Sequence, residues 1–310
     1  MDRNDVDWTG YIPAITTPFN ASGELDLAAL ERQLTWLVEQ RMHGVILAGT
    51  SGEWFAMSTA ERATLFAEAA KIIGGQITVL AGCNAFTADE AIEHARAAEN
   101  AGLDGILLTP PPYVVPTDRE VVAFYTEVCA ATGMPVCVYN WPRGCIVDLD
   151  IPVLGELASI GNVVAIKNST GDFGRFLQGL YELGDQVRYF GIPTSRLGAD
   201  LVDLGHGDGL MGAGAVLGAD HPEFWRALER GDRETALRLG ERDRILMSRW
   251  FTPDYGARFG NAQAILKTAL RLRGVPAGHV RRPLLELEPP EVARVEATMR
   301  ELGIETVPLR

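Results

Sequence analysis

Short, nearly unbroken apolar runs recur along the chain at Tyr11–Thr16, Gly44–Ala48, Ile77–Gly82, Gly105–Thr109, Pro135–Tyr139, Val163–Lys167, Val187–Gly191 and Gly209–Gly214. Their lack of polar alternation fits strands buried on both faces of a parallel sheet. Between them lie amphipathic stretches at Asp26–Arg41, Thr59–Ile73, Ala88–Ala101, Arg119–Ala131, Asp172–Leu183 and Thr194–Leu204. Helix-start signals stand where these begin: Ser58 lies three residues before Glu61, and Thr87 precedes Asp89 and Glu90. Gly44, Gly102 and Gly133 stand where helices should stop. Eight strand–helix units by about residue 230 predict an α/β protein with a (β/α)₈ TIM barrel over residues 1–230. A doubly wound open sheet is the alternative, and it more often needs fewer strands. Beyond the eighth unit, Arg233–Trp250, Gly260–Arg273 and Pro290–Leu302 are helical patterns with no strand between them. They predict a C-terminal helical extension over residues 231–310. No Pro/Gly/Ser-rich linker precedes it, so it should pack on the barrel.

Composition narrows the partners. The 310 residues are 47% hydrophobic and 22% charged, which is globular and excludes disorder. Lys and Arg number 28 against 41 Asp and Glu, a net charge of −13. Such a chain repels phosphate backbones and anionic lipid, so neither nucleic acid nor a membrane surface is expected as a partner. A locally positive site for an anionic small molecule stays open. Cys83, Cys129, Cys137 and Cys145 form no CxxC pair, which predicts buried free thiols in a reducing compartment. The acidic, polar start MDRNDVDW is unlike a signal peptide, and no apolar run approaches the roughly 18 residues of a membrane span. A soluble, cytoplasmic protein is expected.

A barrel of this kind carries its active site at the C-terminal ends of its strands. Lys167 closes the run Val163–Lys167, and Lys71 and Lys267 are the other two lysines of the chain. Those two lie on amphipathic helices and are expected at the solvated surface. Lys167, by contrast, would point into the barrel mouth, on the same face as Val163 and Ala165. Burial lowers a lysine pKa, and a neutral amine there would attack a carbonyl. The alternative is a buried Lys–Asp pair. Tyr139 ends the neighbouring strand, about 4.8 Å away, where a phenol can move protons for the amine. Its alternative is a core tyrosine with a satisfied hydroxyl. Thr50 and Ser51 sit in a glycine-bounded turn whose hydroxyls and N–H groups suit a carboxylate, or merely cap a helix. Gly212–Gly218 mimics a dinucleotide fingerprint but follows the last strand, where a barrel loop is expected. The five histidines lack metal-ligand spacing, so no metal and no bound cofactor is expected. No nucleophile elbow surrounds Ser51 or Ser195.

These residues resemble the dihydrodipicolinate synthase / N-acetylneuraminate lyase family of Schiff-base-forming class I aldolases. Gly49-Thr50-Ser51-Gly52-Glu53 is similar to the family's carboxylate loop and Tyr139-Asn140-Trp141-Pro142 to its Y-N-x-P motif. Lys167 follows Tyr139 by the family's 28 residues. The similarity runs on to Arg282-Pro283-Leu284-Leu285. It implies that Lys167 forms a covalent imine with pyruvate or another 2-oxo acid, that Gly49, Thr50 and Ser51 hold the carboxylate, and that Tyr139 moves protons. It further implies that Tyr113 completes a relay with Thr50 from a neighbouring subunit of a homotetramer. Arg143, Gly191 and Thr194 should contact a second substrate, an aldehyde, with Trp141, Ala213 and Gly214 beside them. The synthases place an arginine two residues beyond the Y-N-x-P proline; here Gly144 stands there, with Arg143 one earlier. Gly191-Ile192-Pro193-Thr194 is closer to sugar-acid dehydratases. Aldol cleavage or condensation of pyruvate with an aldehyde, as in a 2-keto-3-deoxy sugar-acid aldolase, is the leading expectation. A 4-hydroxy-tetrahydrodipicolinate synthase and a keto-deoxy sugar-acid dehydratase are the enzyme alternatives. A silent oxo-acid-binding paralogue is the non-enzyme one, and a metal-dependent barrel aldolase the remainder.

Overall fold

The computed structural model describes residues 1–309. Its eight strands are β1 (Gly10–Tyr11), β2 (Gly44–Leu47), β3 (Thr78–Gly82), β4 (Gly105–Leu108), β5 (Val136–Asn140), β6 (Val163–Asn168), β7 (Arg188–Phe190) and β8 (Gly209–Leu210). All pair in parallel, in the order β1-β8-β7-β6-β5-β4-β3-β2. The seam between β1 and β2 closes through Ala14, which bridges Ile46 on one side and Ala213 on the other. The first strand is shorter than the expected Tyr11–Thr16, and the eighth shorter than Gly209–Gly214. Pro13 has no N–H to give the ladder, so pairing continues past Tyr11 only as isolated bonds, such as Ala14 N–H to Gly212 O at 2.8 Å.

The barrel is wrapped by α1 (Leu27–Glu39), α2 (Thr59–Ile73), α3 (Ala88–Ala101), α4 (Asp118–Ala130), a short α5 (Pro142–Cys145), α6 (Ile151–Ala158), α7 (Phe173–Leu183), α8 (Arg196–Asp203) and α9 (Asp220–Glu229). Helix α2 starts where the sequence says, with the Ser58 and Glu61 side chains each capping the other's backbone N–H. After β8 follow α10 (Arg233–Trp250), α11 (Ala262–Leu272) and α12 (Pro289–Glu301), the expected helical C-terminal piece. Inside the barrel, Ile46, Leu80, Leu107, Cys137, Phe190 and Met211 fill the bore, while a separate apolar layer joins α10, α11 and α12. No helix among the described residues is long and apolar enough to cross a membrane. All four cysteines are buried free thiols.

The expectation for Lys267 is overturned. Lys71 is exposed and pairs with Glu68, as read, but Lys267 is completely buried instead of solvated. Its helix, α11, is enclosed between the barrel rim and α12, and every residue from Gln263 to Leu270 is buried. Its amphipathic pattern therefore marks two different packing layers and not a wet face. The charge is matched by Glu53, whose carboxylate lies 2.5 Å from the Lys267 Nζ, and Nζ also donates to His279 O at 2.6 Å.

Candidate active site

Lys167 and Tyr139 are direct register partners on β6 and β5, which brings their side chains side by side at the barrel mouth. The Lys167 Nζ lies 3.9 Å from the centre of the Tyr139 ring. Among the described residues no ion pair to Lys167 is formed, so the Lys–Asp alternative is not what the fold builds. Burial, opposed by the Cys137 thiol, pulls the ammonium down to about 8. An amine in that condition is neutral in a useful fraction at physiological pH, unlike an exposed lysine near 10.4. The Tyr139 hydroxyl is shared between Ser169 and Thr50, and burial keeps the phenol protonated well beyond its usual range. It is therefore held protonated, able to offer a hydrogen bond to an oxygen placed beside it.

The turn Gly49–Glu53 delivers Thr50 and Ser51 to the same mouth. It closes with Gly52 N–H to Gly49 O at 3.0 Å, and the Thr17 hydroxyl holds Gly52 O at 2.8 Å. Glu53 leaves the turn in the left-handed region, φ 57°. Its carboxylate pairs with Lys267 and also accepts the Arg281 N–H at 2.8 Å. The Gln263 amide donates to Thr50 O at 3.0 Å. The Gly49–Glu53 turn is thus fastened from outside, by residues of the C-terminal piece.

Gly191 and Thr194 line the cavity from the end of β7. Gly191 has φ +134°, and a Cβ there would fall 2.5 Å from Asn168 O, so only glycine fits. The Thr194 hydroxyl oxygen is buried and finds no protein partner. Two expected residues are not brought to the cavity wall by this chain. Arg143 turns outward to Asp254, 2.6 Å away, and both are exposed. Tyr113 sits on an open loop beside Val114 and Val115, 84% exposed and with φ 79°.

The structure adds residues that the sequence does not announce. Ser169, one position past β6, joins the Tyr139 hydroxyl; reading one residue beyond each strand end would find it. Asn140 and Asn168 brace the two strand ends against each other, Nδ2 to Oδ1 at 3.0 Å. Gln263, His221 and Asp243 also line the cavity, from α11, α9 and α10. Nothing near them in sequence marks them, because they reach the site only through packing of the C-terminal helices. The cavity measures about 170 Å³. No group of three His, Cys, Asp or Glu side chains able to hold a metal occurs among the described residues.

A buried, unpaired lysine beside a protonated phenol at the mouth of a (β/α)₈ barrel defines a class I aldolase-type lyase. The chain belongs to the dihydrodipicolinate synthetase family, which matches residues 7–302. It is 32% identical over 301 residues to the 4-hydroxy-tetrahydrodipicolinate synthase of Ruegeria pomeroyi, covering 95% of this chain and 99% of that one. An uncharacterized DapA-like lyase of Rhizobium meliloti is 29% identical over 306 residues, covering 97% and 98%. Among solved structures, the dihydrodipicolinate synthase of Acinetobacter baumannii complexed with pyruvate superposes with a TM-score of 0.84 at 27% identity, covering 96% of this chain and 99% of that one.

Proposed function

We propose that the protein joins pyruvate, or a close 2-oxo acid, to an aldehyde, or cleaves the corresponding aldol, through an imine on Lys167. The observation that carries this is the buried amine of Lys167, unpaired and drawn toward neutrality, packed on the Tyr139 phenol. The neutral amine adds to the keto carbon, and the carbinolamine loses water to give a protonated imine. The imine accepts the electron pair left when C3 gives up a proton, forming an enamine. The enamine carbon bonds to the aldehyde carbon while the aldehyde oxygen takes a proton, for which Tyr139 is placed. Water then releases the product and returns the amine; cleavage runs the same steps backwards. Thr50 and Ser51 hold the carboxylate in the turn that Glu53 and Gln263 fasten.

Borohydride reduction with pyruvate tests this: a reduced pyruvyl group should be found on the peptide containing Lys167, and its absence with every 2-oxo acid tried would end the proposal. Replacing Tyr139 by Phe should lower kcat by about 10²–10⁴, the range of a general acid–base group, and leave pyruvate KM within a few-fold. An unchanged kcat would remove the phenol from the proton path.

The assembly follows the same reading. Tyr113 and its apolar loop serve a neighbouring subunit of a homotetramer, in a reducing cytoplasm that suits the four buried thiols. Mixing inactive Tyr113→Phe and Lys167→Ala chains after co-refolding should recover part of the activity, because some sites then receive one intact residue of each kind. No recovery, or a monomer by sedimentation, would remove Tyr113 from the site.

A further inference from the structure

We infer that the second substrate of this site is an uncharged aldehyde with an apolar, preferably aromatic, body, and that Asp243 excludes anionic ones. This rests on the imine reading of Lys167 and specifies its partner. At the Lys167 end of the cavity stand Tyr139, Thr50, Ser51, Ser169 and Thr194. The cavity runs out of the bore toward the C-terminal helices, where Val216, Leu246, Met247, Phe251 and Leu266 line it, with Gln263, His221 and Asp243 among them. Its exposed surface is predominantly carbon. A wall of such side chains suits an apolar ring better than a solvated chain.

Charge points the same way. Among the described residues Lys167 is the one lysine or arginine in the wall, and in the enamine that meets the aldehyde its nitrogen is neutral. Arg143, the arginine nearest in sequence to the Y-N-x-P turn, is occupied by Asp254 outside the cavity. Gly144, where an arginine would be needed, is pressed against the Trp141 indole: a Cβ there would lie 2.4 Å from the ring. That indole is fixed, stacked on Tyr139 with centroids 5.8 Å apart and tilted on Tyr255 at 5.9 Å. The space of a carboxylate-binding side chain is thus filled by an aromatic wall.

The remaining charged wall group is Asp243, held by His221 Nε2 at 3.0 Å. His221 is itself stacked on Tyr11, centroids 4.1 Å apart, and the Tyr11 hydroxyl donates to Gly214 O at 2.9 Å. These contacts fix Asp243 in place. An aldehyde bearing a carboxylate would lose its hydration against carbon with a fixed carboxylate nearby and no free lysine or arginine in the wall to repay it. A polyhydroxylated aldehyde would meet Gln263, Thr194 and His221 but lie mostly against carbon. This departs from the sugar-acid partner that the sequence suggests.

The test measures condensation with pyruvate for benzaldehyde, 4-carboxybenzaldehyde and glyceraldehyde, alongside borohydride trapping on Lys167. Benzaldehyde should exceed both others in kcat/KM by at least about tenfold, equal to about 1.4 kcal/mol. Asp243→Asn, with its fold checked by thermal melting, should raise the 4-carboxybenzaldehyde to benzaldehyde ratio by about tenfold, chiefly through KM. A pyruvyl adduct on Lys167 with glyceraldehyde or the carboxylated aldehyde preferred, or with benzaldehyde not turned over, overturns this inference and leaves the imine standing. No adduct at all overturns the imine itself, and this inference with it.

Discussion

Lys167→Ala should lower turnover by four orders of magnitude or more, a loss of about 5.5 kcal/mol in transition-state stabilisation. Without the amine no imine forms, and C3 of the oxo acid has no electron sink for its proton loss. The substitution removes a buried amine with no ion-pair partner, so it should not cost the fold. Thermal melting of the variant should therefore stay near or above that of the parent. Lys167→Arg should be equally inactive, since a guanidinium keeps its proton and forms no imine. The same lysine sets a pH signature. Its amine is held at about 8 by burial, so the rate of imine formation should climb as pH rises toward 8 and level off above it. A stopped-flow profile rising instead through 10 would mean an exposed, ordinary lysine. Activity of Lys167→Ala within tenfold of the parent would exclude covalent catalysis at this position.

Lys267→Met should destabilise the fold by about 3–5 kcal/mol, because it strands the Glu53 carboxylate in a site with no access to water. Both side chains of that pair are 0% exposed. Lys267 also covers the Phe19 ring, 4.6 Å from its centre, and bonds to His279 O, so its loss unfastens the segment that follows α11. Restoring balance with Glu53→Gln in the same chain should recover part of the loss, since a neutral amide tolerates burial better than an unpaired carboxylate. Urea unfolding of the parent, the two single variants and the double variant separates these terms as a cycle. Those variants that fold should also bind pyruvate more weakly, because Glu53 ends the Thr50–Ser51 turn. A single-variant loss under about 1 kcal/mol would show that water reaches Glu53 in solution and that the pair does not hold the turn.

The two lysines show where reading the chain succeeds and where it stops. Lys167 closes a Val-Val-Ala-Ile run, and a period-two strand can send that side chain only into the bore or out to the helices. Tyr139 ends the preceding run, so pairing of adjacent parallel strands sets them opposite each other. Lys267 lies in a helix whose pattern fits a wet face equally well, and only the docking of α12 against α11 removes the water.

The amino-acid pattern by itself determined the barrel, its strand–helix alternation and the helical C-terminal piece, and it set Lys167, Tyr139, Thr50 and Ser51 at the strand ends. Those features arise from local periodicity and from neighbours in the strand order, which are written along the chain. Tertiary packing alone decided that Arg143 turns to Asp254, that Trp141 fills the space beside Gly144, and that Asp243, His221 and Gln263 reach the cavity from helices far along the chain. Those contacts depend on how the C-terminal layer settles across the barrel mouth. That geometry is fixed by the mutual fit of many side chains and by no single stretch of sequence.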